Sequence, residues 1–121
     1  GTAMIRAKRV YDPPGRDDGA RFLVERLWPR GVKKDELPVD GWLKEIAPSK
    51  ELRQWFGHDP ERWEEFRRRY FAELNEQREK LAPIRAAARR GNVTLLYSAR
   101  DEEHNSELVL KAFLSGGKGR R

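Results

Sequence analysis

The pattern of apolar and polar residues predicts short strands that alternate with helices. An imperfect alternation over 5–11 predicts a first strand, which an Asp-Pro-Pro-Gly turn ends. A short apolar run over 21–25 predicts a second strand, and a β-branched and aromatic run over 93–97 predicts a third, buried one. Apolar anchors are scattered over 32–48, where we expect one short helix near Trp42.

The predicted helices begin at residue 50. Ser49 is typical of an N-cap and Gly57 of a C-cap, which predicts a helix over 50–56. Asp59-Pro60 predicts the start of a longer helix. Its apolar residues fall on one face at 100° per residue: Trp63, Phe66, Tyr70, Leu74 and Leu81. We expect Pro83 to end or kink this helix and a further helix to follow over 84–90.

A last helix is predicted over 104–114. Its apolar residues on one face are Leu108, Val109, Ala112 and Phe113. Leu110 and Leu114 fall outside that face, so this helix is either well buried or in contact with another copy of the chain.

These elements predict an α/β fold, a single small domain with a mostly parallel short sheet packed by helices. The domain is expected over 4–114, followed by a flexible basic tail over 115–121. One feature opposes a parallel arrangement. About ten residues join the first two strands, which is short for a parallel crossover and sufficient for a hairpin.

Composition excludes several classes of protein. The 121 residues include no cysteine, which excludes a disulfide framework, a thiolate zinc site and a cysteine nucleophile. A chain without cysteine suits a reducing compartment, so we expect a cytoplasmic protein. No apolar run approaches the roughly 20 residues that span a bilayer, and we expect neither a membrane association nor a signal peptide. Residues 1–3 are expected to be an expression remnant.

The positive charge suggests a nucleic-acid partner only weakly. Lys and Arg number 26 against 20 Asp and Glu, a net charge of +6, and three of these basic residues lie in the tail 115–121. The remaining +3 is ordinary for a soluble domain. Basic clusters at 67–69 and 89–90 support an alternative function, a non-catalytic nucleic-acid-associated module. Because acidic neighbours would neutralise 67–69, we expect only weak, sequence-indifferent binding, mainly through the tail.

Three motifs are too distinctive for a scaffold alone. They are Arg-Leu-Trp-Pro-Arg-Gly at 26–31, Trp-Phe-Gly-His-Asp-Pro at 55–60 and Leu-Leu-Tyr-Ser-Ala-Arg-Asp-Glu-Glu-His-Asn at 95–105. With Val-Tyr-Asp at 10–12, their order and spacing resemble the YeaO-like family within the domain of unknown function 488 group. The resemblance runs from about Ile5 to Leu114. It implies a small bacterial α/β protein whose biochemical activity is not established.

The larger group resembles the chain more loosely. Its second strand is typically followed by an Arg and a Pro-Arg pair, similar to Arg26 and Arg30 here. Its last strand typically leads to a Cys-His-Arg triplet, whereas this chain has His104-Asn105-Ser106. A mechanism that needs that cysteine or that arginine therefore does not carry over. Some relatives are described as transcription regulators, but the sequence has no helix-turn-helix pair with a basic recognition face.

Arg26 and Arg30 are candidate anion ligands. They follow the second strand, and ligands of open α/β sheets gather at the carboxyl ends of strands. Guanidinium groups there bind phosphate or carboxylate bidentately. The alternative is structural, with these arginines holding the loop by pairing with Asp12, Asp101 or a helix C-terminus. Trp28 lies between them and is the one tryptophan that we consider as a ligand wall.

A second candidate group follows the third strand. Tyr97 and Ser98 would shape a site, and Arg100 would bind an anion beside a helix N-terminus. The alternative is that Asp101 and its acidic neighbours already satisfy that terminus. His104 joins the site through the family motif, and Asn105 is either a site residue or a helix cap.

Asp12 and His58 are the candidates for proton transfer. Imidazole titrates near neutral pH, and Asp12 follows the first strand as a candidate base. Structural alternatives are an Asx turn for Asp12 and a hydrogen bond to a nearby carbonyl for His58. No ligand spacing predicts a metal site. The leading hypothesis is recognition of an anionic small molecule or nucleotide, with or without catalysis. The sequence specifies neither a cofactor nor an oligomeric state.

Overall fold

The protein is an α/β fold built on an all-parallel sheet. A computed structural model describes residues 4–115. The strands and helices in chain order are β1 (Ile5–Arg9), β2 (Ala20–Leu23), β3 (Gly41–Trp42), α1 (Lys50–Phe56), α2 (Trp63–Glu76), α3 (Ala82–Arg90), β4 (Val93–Tyr97) and α4 (Ser106–Leu114). Short 3-10 helices lie at 34–36, 44–46, 60–62 and 78–81. The predicted tail from residue 116 onward lies outside the described residues.

The strand order is β1-β4-β2-β3, and each neighbouring pair is parallel. The predicted parallel sheet is therefore confirmed, although β1 and β2 are not neighbours. β4 lies between them, with Ile5 opposite Val93 on one side and Leu23 opposite Leu96 on the other. The ten-residue connection returns along the sheet instead of closing a hairpin. Ten residues reach about 33 Å when extended, twice the length of a five-residue strand, so no helix is required.

Buried ion pairs hold this connection to the sheet. Asp18 is 2% exposed and accepts hydrogen bonds from Lys8 Nζ at 3.0 Å, from the Gly15 N–H at 3.1 Å and from Arg21. Burial favours the neutral carboxyl, but these hydrogen bonds outweigh it and lower the pKa of Asp18. The next residue, Gly19, has a φ of 65°, and a Cβ there would lie 2.0 Å from the Asn92 carbonyl oxygen. Only glycine therefore fits at this position.

The two faces of the sheet have different covers. The helices pack on one face, where the buried residues of the sheet include Phe22, Val24, Val93 and Leu95. Loops cover the other face, and the buried residues there are Val10, Leu23, Leu37 and Leu96. Because strand side chains alternate between faces, β4 supplies residues to both cores and is buried along its whole length.

Local signals set the helix ends around α1 and α2. Ser49 caps α1 through the Leu52 N–H, and Gly57 ends it in a left-handed conformation, as predicted. Asp59 caps the turn 60–62, from which α2 continues, and the predicted apolar stripe packs inward. The predicted continuation to Pro83 is wrong, because α2 ends at Glu76 and a 3-10 turn precedes α3. Pro83 lies in the first turn of α3, where its missing N–H is not needed.

Two further expectations require correction. Trp42 itself is not helical, because Gly41 and Trp42 pair with Phe22 and Leu23 as the short edge strand β3, and the short helix expected near it is the 3-10 turn at 44–46. The last helix begins at residue 106 rather than 104, and its most buried side chains are Glu107, Val109, Leu110 and Leu114. Leu110 and Leu114 thus belong to the core, which confirms the well-buried alternative for this helix.

Candidate functional site

A pocket of about 530 Å³ lies at the carboxyl ends of β2 and β4. We call it the central pocket. Segments from the loop after β2, the loop before α1, the end of α1 and the start of α4 enclose it. The lining residues are Val24, Glu25, Arg26, Leu27, Trp28, Pro29, Arg30, Ala47, Pro48, Arg53, Gln54, Phe56, His58, Phe66, Ser98, Ala99, His104, Asn105, Ser106 and Glu107. Volumes of this size are typical of small-molecule sites.

The central pocket gathers most of the residues that the motifs singled out. Six of the nine predicted site residues line it, together with Trp28: Arg26, Arg30, His58, Ser98, His104 and Asn105. The other three do not line it. Asp12 and Arg100 are exposed beyond the ends of β1 and β4, and Tyr97 is buried at the end of β4. Burial is the main cause that raises the pKa of Tyr97, and Glu102 adds to it.

Arg26 holds one wall of the central pocket in position. Its Nε donates to the Pro48 carbonyl at 3.3 Å and its Nη2 donates to the Ala47 carbonyl at 3.1 Å. The expected structural role therefore exists, but its partners are backbone carbonyls instead of carboxylates. Arg26 Nη1 makes no hydrogen bond within residues 4–115, so one donor edge is available to a ligand.

Helix α2 fixes the same wall from behind. The buried Tyr70 hydroxyl donates to the Ile46 carbonyl at 2.6 Å. Both carboxylate oxygens of Glu73 accept from Ser49, from its N–H at 2.9 Å and from its hydroxyl at 2.6 Å. Burial, and then the charges of Glu107 and Glu73, raise the pKa of Tyr70 well above its usual value, so its hydroxyl stays protonated as a donor.

Two further arginines contribute positive charge. Arg53 donates to the Pro48 carbonyl through Nε at 3.3 Å. Arg30 is exposed, and its side chain makes neither an ion pair nor a hydrogen bond to any residue the structure describes. Its carbonyl accepts from the Tyr11 hydroxyl at 3.3 Å, which ties this loop to the end of β1. Arg30 is therefore the arginine of the central pocket best able to bind a ligand.

Glu25 joins the carboxyl ends of the two central strands. Its two carboxylate oxygens accept from the Ser98 N–H and from the Ser98 hydroxyl, both at 2.7 Å. Partial burial raises the pKa of Glu25, although the two hydrogen bonds from Ser98 oppose the shift. Both hydrogen-bond donors of Ser98, its N–H and its hydroxyl, are thus used by Glu25.

Glu107 is the most deeply buried charged group of the central pocket. It lies in the first turn of α4 and is 2% exposed. Its Oε1 accepts from the Ser106 hydroxyl at 3.1 Å, whereas Oε2 has no hydrogen-bond partner among the described residues. Burial raises the pKa of Glu107 well above its usual value, and the charge of Glu25 adds to the shift.

Neither glutamate was singled out from the sequence, although both leave a signal there. Glu107 is spaced three and seven residues from Leu110 and Leu114, so it belongs to their buried helix face. Glu25 lies two residues beyond Leu23, which pairs with Leu96, and Ser98 lies two residues beyond Leu96. Alternation along the two strands therefore brings Glu25 and Ser98 to the same face.

The segment between β4 and α4 forms a compact turn around Asp101. Its Oδ1 accepts from the N–H groups of Glu103 and His104, and its Oδ2 lies 3.0 Å from His104 Nδ1. These hydrogen bonds lower the pKa of Asp101, with that from Glu103 the largest cause. Asn105 caps α4 by accepting from the Leu108 N–H at 3.0 Å. Asp101 and Asn105 thus satisfy the N–H groups of Glu103, His104 and Leu108, in line with the structural alternative.

His58 lies at the rim with an unusual backbone conformation. Its φ is 58°, and it directly follows the left-handed Gly57. Its ring lies against Phe56, with centroids 6.0 Å apart. The ring makes no hydrogen bond within residues 4–115, so the expected bond to a nearby carbonyl is not found.

Three other observations limit the alternatives. Within the described part of the chain, no group of three or more His, Cys, Asp or Glu side chains could hold a metal ion. No helix in this part is long and apolar enough to cross a membrane. The arginines at 67–69 are neutralised locally, by Glu64 for the first and by Glu65 for the other two.

Comparisons with known proteins agree with the predicted family. A model of the family described as "Inactive DUF488-N3 subclade" matches residues 4–118. The "Uncharacterized protein YeaO" of Escherichia coli is 46% identical over 110 residues, covering 91% of this chain and 96% of its own length. The "Uncharacterized protein Rv3073c" of Mycobacterium tuberculosis is 43% identical over 112 residues, covering 93% and 94%. No solved structure matches the chain.

The family match covers all of the described residues, and both relatives align over more than nine-tenths of their length. The chain belongs to the YeaO-like proteins of the DUF488 family, in its inactive DUF488-N3 subclade.

Proposed function

We propose that the chain binds a small molecule or nucleotide through a phosphate or carboxylate group in the central pocket, with Arg26 and Arg30 as the main contacts. One observation carries this proposal. A pocket of about 530 Å³ at the carboxyl ends of two parallel strands is lined by three arginines. Open α/β sheets bind their ligands at that edge.

The charge of the central pocket favours an anion. Arg26, Arg30 and Arg53 are permanently charged, because a guanidinium group does not lose its proton in proteins. Glu25 and Glu107 have raised pKa values, which favours their neutral forms and reduces the negative charge that an anion would meet. The available donors of Arg26 and Arg30 suit the oxygens of phosphate and carboxylate.

Binding without turnover is the better supported form of this function. The matching family is described as inactive, and residues 104–106 are His-Asn-Ser where the larger group that the chain resembles typically has Cys-His-Arg. Of the two residues considered for proton transfer, His58 lines the central pocket and Asp12 does not. The proposed function is therefore recognition of an anionic ligand, with His58 at its rim.

The test is a calorimetric titration with inorganic phosphate, citrate and adenosine monophosphate. Arg30→Gln is the test variant because the Arg30 side chain supports no other residue that the structure describes. Losing a charge-assisted hydrogen bond of about 1.5–3 kcal/mol would weaken binding roughly tenfold or more. Arg89→Gln, an exposed arginine on α3 outside the central pocket, is the matched control.

Arg100→Gln tests the remaining predicted anion ligand. We expect wild-type affinity from it, because Arg100 does not line the central pocket. The proposal is wrong if none of the three anions binds, or if Arg30→Gln binds them as tightly as Arg89→Gln does.

A further inference from the structure

Two carboxyl groups, those of Glu25 and Glu107, line the central pocket, and we call them its floor and the arginines that line it its rim. Glu25 reaches it from the loop after β2, and Glu107 reaches it from the first turn of α4. Neither carboxyl makes an ion pair with a basic side chain of residues 4–115, although three arginines line the same pocket. The floor and the rim therefore differ in chemistry.

The hydrogen bonds on the floor are incomplete. Both oxygens of Glu25 accept from Ser98, and Glu107 Oε1 accepts from Ser106. Glu107 Oε2 is buried and has no donor among the described residues. Buried polar atoms in folded proteins nearly always have a partner, and an exception requires an explanation. A ligand that supplies the missing donor explains this one.

We infer that the floor of the central pocket takes a nitrogen donor of the ligand, an amidine or amine, with Glu107 Oε2 as its acceptor and Glu25 beside it. The inference rests on the proposed function and extends it. The ligand class is then a molecule with an anionic group for the arginine rim and an N–H donor for the carboxyl floor. A nitrogen cation is favoured over a hydroxyl because it can replace the proton that the raised pKa holds on Glu107, and that proton is then released to solvent.

The groups around Glu107 agree with this assignment. Glu25 from the β2 end, Tyr70 from α2 and Tyr97 from β4 are the titratable groups whose charges couple with Glu107. The Tyr70 hydroxyl already donates its hydrogen bond to the Ile46 carbonyl, so it is not a donor to Glu107 Oε2. These three neighbours are acidic, and Arg26, whose charge acts on Tyr70, makes no ion pair with either carboxyl among the described residues. A cationic nitrogen would therefore be the positive charge that lets Glu107 ionise when the ligand binds.

Benzamidine is the probe for the floor, with benzamide as its neutral counterpart. Binding is followed by two-dimensional amide NMR of the whole chain, with wild type, Glu107→Gln and Arg30→Gln. We expect benzamidine to shift the amide signals of Ser98 and Glu107, and Glu107→Gln to weaken its binding at least tenfold. Benzamide should bind at least tenfold more weakly than benzamidine. Glu51→Gln, an exposed residue in the first turn of α1, is the matched control.

The two proposals fail in different ways. Arg30→Gln should bind inorganic phosphate more weakly than wild type, and Glu107→Gln should bind it equally well. For benzamidine, Glu107→Gln should bind more weakly than wild type and Arg30→Gln equally well. Benzamidine binding that Glu107→Gln leaves unchanged, or equal affinity for benzamide, would overturn the inference and leave the anion site standing. If Glu107→Gln does not fold, two other measurements decide the question. One is the affinity of Glu25→Gln for benzamidine, and the other is the proton release on benzamidine binding to wild type, measured in two buffers. The absence of proton release at every pH from 4.5 to 8 would then count against it.

Discussion

Glu107 leads to a prediction about stability that can be worked out from its surroundings. Its carboxyl has a raised pKa in the folded protein, whereas in the unfolded chain it titrates near the usual 4.5. Between these two pKa values the folded state binds the proton more tightly. The free energy of unfolding should therefore fall as pH rises from 4.5 to the folded pKa, and this contribution is constant above it.

The change that tests this reasoning is Glu107→Gln, which keeps the shape of the side chain and removes its titration. One proton corresponds to a slope of about 1.4 kcal/mol per pH unit. The stability of Glu107→Gln relative to wild type should therefore increase from pH 4.5 upward with at most this slope. It should then reach a plateau, and the pH of the plateau measures the folded pKa.

The assay is urea unfolding followed by tryptophan fluorescence in half-unit steps from pH 4.5 to 8. Glu51→Gln serves as the control, because Glu51 is exposed. The experiment repeated in a Glu25→Gln background should reach the plateau at a lower pH, since the charge of Glu25 contributes to the shift. A stability difference between Glu107→Gln and wild type that does not vary with pH would refute the reasoning.

Three further predictions concern other parts of the fold. Tyr70→Phe should lower the free energy of unfolding by about 1–3 kcal/mol, because the buried Ile46 carbonyl loses its donor. In the same urea unfolding assay the exposed Tyr11→Phe should change the free energy of unfolding little, and equal effects of the two variants would contradict the role of Tyr70. His58→Val should destabilise the protein by about 1–2 kcal/mol and His58→Gly should not, because the φ of 58° disfavours a β-branched residue. A DNA mobility shift at about 150 mM salt should show micromolar or weaker binding that disappears when 115–121 are deleted, and tight binding by the truncated chain would favour the nucleic-acid alternative.

The parts of the fold that depend on neighbouring residues could be predicted from the sequence. The bounds of α1 follow from Ser49 and Gly57, which act within one turn of the helix. The buried strand β4 follows from five consecutive residues that suit a sheet. The break after Glu76 could not be predicted, because the apolar spacing continues through it to Leu81.

The central pocket could be predicted only in part, because distant segments build it. Arg26 and Ser98 were recognisable, since residues at the ends of parallel strands share one edge of the sheet. The bond between Glu25 and Ser98 joins residues 73 positions apart, and the strand order that permits it has no local signal. β3 was missed for the same reason, since its two residues form a strand only through their pairing with β2.

The position of β4 in the sheet has a consequence for the order of folding. β1 and β2 each pair with β4, which comes much later in the chain. Val93 of β4 pairs with Ile5 of β1, 88 residues earlier, and with Ala20 of β2, 73 residues earlier. During synthesis, the first 92 residues can form helices and the β2–β3 pair, but β1 has no strand to join. Contacts of such long sequence separation slow folding, and the sheet is completed only when the last quarter of the chain emerges. A chain interrupted before residue 93 would therefore leave the apolar faces of β2 and the helices open to aggregation.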